Sequence, residues 1–161
     1  MEGIRIPVKI HLLNRQRALR LRPAAFRRLV RDLATRAFPA ESSPPFGELA
    51  VLLTDDEGMP AYKEGCFGIR AQTDVVAQAY EGVPGIAPAT AELVLNAERA
   101  RSEGQRRPGG PARELALYLA HGLDHLAGHE DDTPARRRAM RRRETGWLAA
   151  EAGRLAEILA P

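Results

Sequence analysis

The sequence predicts an α+β domain in which one mixed four-stranded sheet packs against about five helices. The chain has 161 residues and a single cysteine, which fits one ordinary domain over residues 1–161 without a disulfide framework. Four short apolar runs have the pattern of strands, and about five longer segments have apolar residues at helical spacing. Because strands and helices are interspersed, an α+β or α/β domain follows, and we adopt α+β as the prediction.

Four segments predict the strands. Apolar and polar side chains alternate in residues 4–12, which is typical of a half-buried strand, and Pro7 places that strand at an edge of the sheet. The other three strands are predicted from short apolar runs at residues 49–53, 75–80 and 92–96. Residues 41–47, rich in serine and proline, predict the loop before the second strand.

Three helices are predicted in the first two thirds of the chain. Pro23 begins the first, which ends near Pro39. The acids at 55–57 predict the first turn of a short second helix, because acidic side chains stabilise helix N-termini. Residues 97–103 predict a third helix, and residues 105–111 predict a mobile basic loop after it.

Two further helices are predicted in the last third. A strongly apolar helix begins near Ala112, and Gly128 is suited to end it in the left-handed conformation. Thr133 and Pro134 are an N-cap and first-turn pair for a last helix, whose apolar spacing continues to Leu159. The apolar helix is therefore the predicted centre of the domain.

Charge is distributed unevenly along the chain although the formal net charge is only +3. Residues 13–36 contain eight arginines and one acid, whereas residues 41–64 contain six acids and one lysine. Guanidinium groups bind phosphate in a bidentate manner, so a basic face of this kind suits a polyanion such as RNA. The alternative is that arginine serves only as the general solubilising residue of this composition.

The composition also predicts the compartment. No apolar run approaches the roughly 18 residues that cross a bilayer, so no membrane partner is expected. The first ten residues carry Arg5 and Lys9 and lack a continuous apolar segment, unlike a secretory signal. Together with the single Cys66, these features predict a cytoplasmic protein.

Three of the four histidines lie within nine residues, at His121, His125 and His129. Two histidines four residues apart lie on one face of a helix, so both imidazoles can bind one metal ion. The residues after Gly128, from His129 to Asp132, are all candidate further ligands. The alternative is a pair of helix histidines bonded to nearby carboxylates.

The spacing of His121, His125, Gly128 and Asp131 is that of the metzincin zinc motif, with Asp in the third ligand position. Gly122 stands where a protease of that class has its catalytic glutamate. A metallopeptidase is therefore disfavoured, because the residue that would take a proton from water is absent.

The same segment resembles the YbeY family of endoribonucleases, whose motif usually reads H-G-x-L-H-L-x-G-Y-D-H. The segment matches this motif at both helical histidines and at Gly122, Leu126 and Gly128. It differs at four positions, where the usual Leu, Tyr, Asp and His are replaced by Asp124, His129, Glu130 and Asp131 respectively. Upstream, residues 53–56, the T-D-V-V run at residues 73–76 and residues 92–96 are similar to other elements of that family.

The resemblance implies a zinc-dependent, single-strand-specific endoribonuclease that acts in ribosomal RNA processing and ribosome maturation. It implies one zinc ion per chain, bound by His121, His125 and Asp131, and attack of metal-activated water on a phosphodiester. Asp132 and His129 remain alternatives to Asp131 as the third ligand. Asp124 is expected at the surface or in support of the ligands. The implied partners are single-stranded ribosomal RNA and ribosomal particles, to which a protein partner could add specificity.

One departure concerns the phosphate. The family has an arginine in the loop before T-D-V, and the corresponding residue here is Phe67. Arg70, three residues later, is therefore the predicted phosphate-binding residue, since phosphodiester cleavage needs a cation near the developing charge. If Arg70 does not serve, the alternative is a catalytically weakened, metal-stabilised RNA- or ribosome-binding module.

Overall fold

The computed structural model describes residues 8–39 and 44–161. Four strands form one sheet in the order β1-β2-β4-β3: β1 Lys9–Asn14, β2 Glu48–Thr54, β3 Val75–Tyr80 and β4 Thr90–Asn96. The first two pairs, β1 with β2 and β2 with β4, are parallel, and β3 is antiparallel to β4. The mixed four-stranded sheet is thus confirmed. The first strand is an edge strand as expected, although Pro7 lies outside the described residues.

Six α-helices and a short 3₁₀ turn cover the sheet in the described part of the chain. They are α1 Pro23–Ala37, α2 Met59–Phe67, α3 Ala97–Gly104, α4 Gly110–Leu126, α5 Pro134–Ala150 and α6 Ala152–Leu155, followed by the turn Ala156–Ile158. Local signals explain several boundaries. Pro23 begins α1, and the Thr133 hydroxyl accepts a hydrogen bond from the Arg136 N–H at the start of α5.

Several predicted boundaries differ from the structure, among them the end of β1, which lies at Asn14 rather than at Leu12. The acids at 55–57 precede α2, where the Asp55 carboxylate accepts a hydrogen bond from the Gly58 N–H. The predicted last helix is interrupted at Glu151, where the backbone leaves helical geometry, so α6 and the 3₁₀ turn follow. The basic loop after α3 is shorter than predicted because α4 begins at Gly110, and its Arg107 pairs with Glu103 and Glu114. Of the predicted loop at 41–47, residues 41–43 lie outside the described residues.

The alternation of side chains along the strands divides the core between the two faces of the sheet. One face carries the larger cluster, in which Val51 and Leu93 pack with residues of α1 and α4. The other face carries a small cluster of Leu52, Val76 and Val94 against Met59 of α2. The α4 helix therefore lies on the opposite side of the sheet from α2.

The α4 helix approaches the sheet closely at Gly122. A Cβ atom at this position would lie 2.7 Å from Leu93 Cδ2 and 3.1 Å from Val75 Cγ2. Because glycine removes this clash, the helix can pack directly on β3 and β4. This contact sets the distance between the sheet and the part of α4 that carries His121 and His125. Among the described helices, none combines the length and the apolar character that a membrane span requires.

Candidate metal centre

The last turns of α4 bring two imidazoles together. His121 and His125 lie one turn apart, and their Nε2 atoms are 3.0 Å from each other. Their rings meet edge to face, with centroids 4.5 Å apart. The predicted convergence of the two histidines is therefore present in the structure.

The chain reverses after α4 and returns a carboxylate to the same place. Gly128 has a φ of 98°, a left-handed conformation that favours glycine, so the helix ends there as predicted. Three residues later, Asp131 Oδ2 lies 3.5 Å from His121 Nε2 and 3.7 Å from His125 Nε2. The three residues each offer a ligand atom, and those atoms lie within 4.8 Å of one another.

The Nδ1 atom of each imidazole is hydrogen-bonded to a group outside the candidate ligand set. His121 Nδ1 lies 2.6 Å from Glu144 Oε1, and His125 Nδ1 lies 3.0 Å from the His129 carbonyl oxygen. Both partners are hydrogen-bond acceptors, so each Nδ1 donates and each Nε2 presents a lone pair. Two facing lone pairs and a carboxylate repel one another unless a cation lies among them. Two imidazoles and one carboxylate are an ordinary zinc ligand set, and the structure therefore fits that metal.

The environment of His121 favours a positive charge. Burial opposes the protonated form, but the hydrogen bond to Glu144 and the charges of Glu144, Asp131 and Asp124 outweigh it and raise the pKa of His121 above its ordinary value. The same negative surroundings that attract a proton also attract a metal cation, with which the proton competes.

The alternative third ligands have other partners. His129 Nδ1 lies 2.9 Å from Asp124 Oδ1. Asp132 accepts a hydrogen bond from Arg136 at 2.8 Å, and this bond lowers the pKa of the Asp132 carboxyl. Asp131 is thus the residue of the loop whose side chain faces both Nε2 atoms.

Arg70, the predicted phosphate-binding residue, has a partner outside the candidate ligand set. Arg70 is exposed and forms an ion pair with Glu64 at 2.9 Å, and it makes no hydrogen bond or ion pair with His121, His125 or Asp131. Phe67 is the last residue of α2, and about half of its surface is exposed. The role of Arg70 stays a prediction.

Sequence reasoning missed the residues of α5 that support the site. Glu144, which orients His121, is buried between Met140 and Leu148 in the helix. Glu144 lies four residues from both Met140 and Leu148, so a carboxylate within this apolar stripe is the signal that could have identified it. Arg137 donates to the Asp131 carbonyl at 3.1 Å. Asp124, expected at the surface or supporting the ligands, is fully buried and bonded to Arg143.

The fold and the site together define an α+β domain with a candidate metal centre built from one helix and the loop that follows it. The family model described as Endoribonuclease YbeY matches residues 11–151 of the chain. The chain therefore belongs to the YbeY family.

Individual relatives agree with this assignment. The chain is 32% identical over 127 residues to an Endoribonuclease YbeY of Anaeromyxobacter sp. strain Fw109-5, covering 78% of this chain and 66% of that protein. It is 34% identical over 128 residues to one of Cutibacterium acnes, covering 73% and 81% respectively. The chain thus spans just under two thirds of the length of the Anaeromyxobacter relative.

A solved structure shows the same fold. The solution structure of TM1509 from Thermotoga maritima matches with a TM-score of 0.55 and 16% sequence identity, covering 94% of this chain and 97% of that one. At this identity the match concerns the fold alone, and it covers both the sheet and the helices that carry the candidate metal centre.

Proposed function

We propose that this protein is a zinc-dependent endoribonuclease that cleaves single-stranded ribosomal RNA during ribosome maturation in the cytoplasm. Membership of the endoribonuclease family supports the nuclease activity. The observation that carries the metal dependence is the convergence of two Nε2 atoms and Asp131 Oδ2, with both Nδ1 atoms bonded to acceptors.

The residues of the chain have defined parts in this proposal. Zinc bound by His121, His125 and Asp131 would supply a Lewis acid that polarises the phosphodiester and lowers the pKa of a water molecule. Glu144 holds His121 through its Nδ1–H, and this engagement makes it an orienting group rather than the base. Gly122 has no side chain that could act as a base. A larger residue at this position would clash with the sheet, because an added Cβ would lie 2.7 Å from Leu93 Cδ2. The peptidase alternative therefore gains nothing from the structure.

RNA binding is assigned to the flank of α5 that carries Glu144. At about 100° per residue, Arg137 and Arg141 lie on that flank, whereas Arg138 and Arg142 point away from Met140 and the core. Both Arg137 and Arg141 are exposed, and among the described residues Arg141 has no acidic partner. Arg137 also contacts the ligand loop at the Asp131 carbonyl, and two exposed guanidinium groups on one flank suit the phosphates of a single strand. Ribosomal particles are the proposed partners, and a protein partner could add specificity.

The first experiment measures metal and cleavage together. Protein purified without a histidine tag is analysed by elemental mass spectrometry, for the wild type and for His125→Ala. We expect about one zinc per wild-type chain, loss of zinc in the variant, and cleavage of single-stranded RNA by the wild type only. A folded wild-type protein without bound metal would refute the proposal.

A second candidate function is an RNA- or ribosome-binding module without nuclease activity. The exposed Phe67 at the family's arginine position favours it, as does the pairing of Arg70 with Glu64. This candidate predicts metal-loaded protein that binds single-stranded RNA tightly and leaves it intact. The substitution Phe67→Arg, assayed for gain of cleavage, distinguishes a lost phosphate contact from a lost active site.

A further inference from the structure

A chain of polar contacts connects α5 to the second histidine ligand through a buried carboxylate. Arg143 Nε donates a hydrogen bond to Asp124 Oδ1 at 2.8 Å, and His129 Nδ1 lies 2.9 Å from the same oxygen. The carbonyl oxygen of the same His129 accepts the hydrogen bond from His125 Nδ1 at 3.0 Å. Three segments, the end of α4, the ligand loop and α5, therefore meet at Asp124.

Burial makes this carboxylate costly. The Asp124 side chain is fully buried, and removing an ionised carboxylate from water is unfavourable unless charged partners compensate. The Arg143 guanidinium supplies that compensation at Oδ1, which His129 Nδ1 also contacts, while Oδ2 has no hydrogen-bond partner within the described residues. A group of this kind contributes little net stability, but it fixes the relative positions of the segments that it joins.

Two consecutive residues of α5 are thus connected to the two imidazoles by different routes. Glu144 contacts His121 directly. Arg143 is connected to His125 indirectly, through the contacts of Asp124 and His129. Since Asp131 follows His129 by two residues in the same loop, the position of His129 also sets where the third ligand lies.

We propose that Arg143, Asp124 and His129 form a polar brace in which Asp124 is a positioning residue for His125 and the ligand loop. The inference rests on the proposed metal site. The brace sets the orientation of His125 and the distance of Asp131 from the two imidazoles without itself binding the metal. Metal affinity and coordination geometry consequently depend on Asp124 and His129 as a pair.

The test measures zinc affinity by chelator competition and coordination geometry by the visible absorption of the cobalt-substituted protein. Asp124→Asn keeps the shape and removes the charge, and Asp32→Asn is the matched control. Asp32 pairs with Arg154 at 2.8 Å on the surface and contacts none of the ligands. We expect zinc affinity to fall about 10- to 100-fold in Asp124→Asn with an altered cobalt spectrum, and to change less than about 2-fold in the control.

His129→Phe provides a second variant, because the His129 ring is about half exposed and its loss tolerates folding better than a change at Asp124. It breaks the contact to Asp124 while retaining the backbone carbonyl. We expect His129→Phe to lose about as much zinc affinity as Asp124→Asn. We expect the zinc affinity of the double variant to be no more than about 2-fold below that of the weaker-binding single variant. Losses that multiply in the double variant would overturn a single connected brace.

The outcomes separate this inference from the proposed function. Wild-type protein that binds zinc and cobalt, with a folded Asp124→Asn or His129→Phe of unchanged affinity and spectrum, overturns the brace alone. Wild-type protein that binds neither ion overturns the proposed function and the brace with it. Reduced affinity and a changed spectrum in His129→Phe support the brace even where Asp124→Asn fails to fold.

Discussion

Each imidazole of the candidate metal centre is oriented by a hydrogen bond that its Nδ1–H donates to another part of the chain. Glu144 of α5 accepts from His121, and the backbone of the ligand loop accepts from His125. Such outer partners fix the tautomer that leaves Nε2 free for a metal, and they increase the basicity of the ring. The metal affinity proposed for this site therefore depends on these individual hydrogen bonds.

Substitution of Glu144 tests this orientation directly. We expect Glu144→Gln to weaken zinc binding about 10- to 100-fold, because the neutral amide holds the His121 ring less firmly. Glu157→Gln is the matched control, since Glu157 is exposed in the 3₁₀ turn. The measurement is zinc affinity by chelator competition at pH 7.5. Equal affinities for Glu144→Gln and the control would contradict the role given to Glu144.

The carboxylate at the third candidate ligand position leads to a prediction about the pH dependence of RNA cleavage. Two neutral imidazoles and one carboxylate leave a zinc site with a charge of +1, whereas three histidines leave +2, so water at the site is less acidified here. We expect the pH optimum of RNA cleavage to move downward in Asp131→His relative to the wild type. The check is a full pH–rate profile of both proteins at saturating zinc. A profile that does not move would show that Asp131 does not govern this ionisation.

The metal-free protein has a pH dependence of its own. The pKa of His121 is raised in the folded protein, so protonation of His121 stabilises the fold. This contribution is fully present below the unfolded pKa, about 6.5, and is lost as the pH rises through the folded value. We therefore expect the difference in unfolding free energy between the wild type and His121→Gln, measured by urea denaturation with chelator present, to shrink from pH 5.5 to pH 8.5. A difference that is constant with pH would contradict the raised pKa.

At the scale of elements, the distance between α4 and the sheet depends on one glycine. A Cβ at position 122 would overlap side chains of Leu93 and Val75. Gly146 lies in α5 with nothing within 4 Å of an added Cβ, and it is the matched control. We expect Gly122→Ala to lower the unfolding free energy by about 1–3 kcal/mol through overpacking, and Gly146→Ala to raise it by up to about 1 kcal/mol through helix propensity. Urea denaturation of both variants measures the contrast, and an equal gain in both would show that the contact at Gly122 relaxes freely.

The sequence predicts elements better than it predicts their partners. Local chemistry identifies the end of α4 at Gly128 and the start of α5 at Thr133, because both depend on neighbouring residues only. The interruption at Glu151 was not predicted, since Glu151 is held by Arg36 from α1, more than a hundred residues away. The antiparallel pairing of β3 on β4 is likewise a tertiary choice that no local pattern specifies.

The same distinction applies to the candidate site. His121, His125 and Asp131 were predicted from spacing along one helix and one turn, and the structure brings them together. Glu144, Arg143 and the buried state of Asp124 were not, because they depend on how α5 crosses α4. Spacing along the chain thus identifies the candidate ligands, whereas tertiary packing determines the groups that orient them.

For the whole molecule, the arrangement of charge decides how a polyanion can approach. The net charge of +3 is small, so attraction of RNA depends on where the arginines lie. On α5, Arg136 and Arg143 are occupied by Asp132 and Asp124. In the proposed RNA-binding role, the guanidinium of Arg141 and the remaining donors of Arg137 are therefore the cations assigned to phosphate contacts.

Paired substitutions on α5 test this path for RNA. Arg137→Gln with Arg141→Gln removes two charges from the flank that bears Glu144, whereas Arg138→Gln with Arg142→Gln removes the same charge from the outward face. Each phosphate contact with a single strand contributes about 0.7 to the slope of log binding constant against log salt. We expect the first pair to reduce that slope by about 1.4 and the control pair to change it by less than half as much, in fluorescence anisotropy titrations with a labelled single-stranded RNA. Metal content is measured alongside, because Arg137 also holds the Asp131 backbone. If both double variants have the same salt slope at equal metal content, the two faces of α5 contribute equally and only non-specifically. The RNA would then bind elsewhere on the molecule.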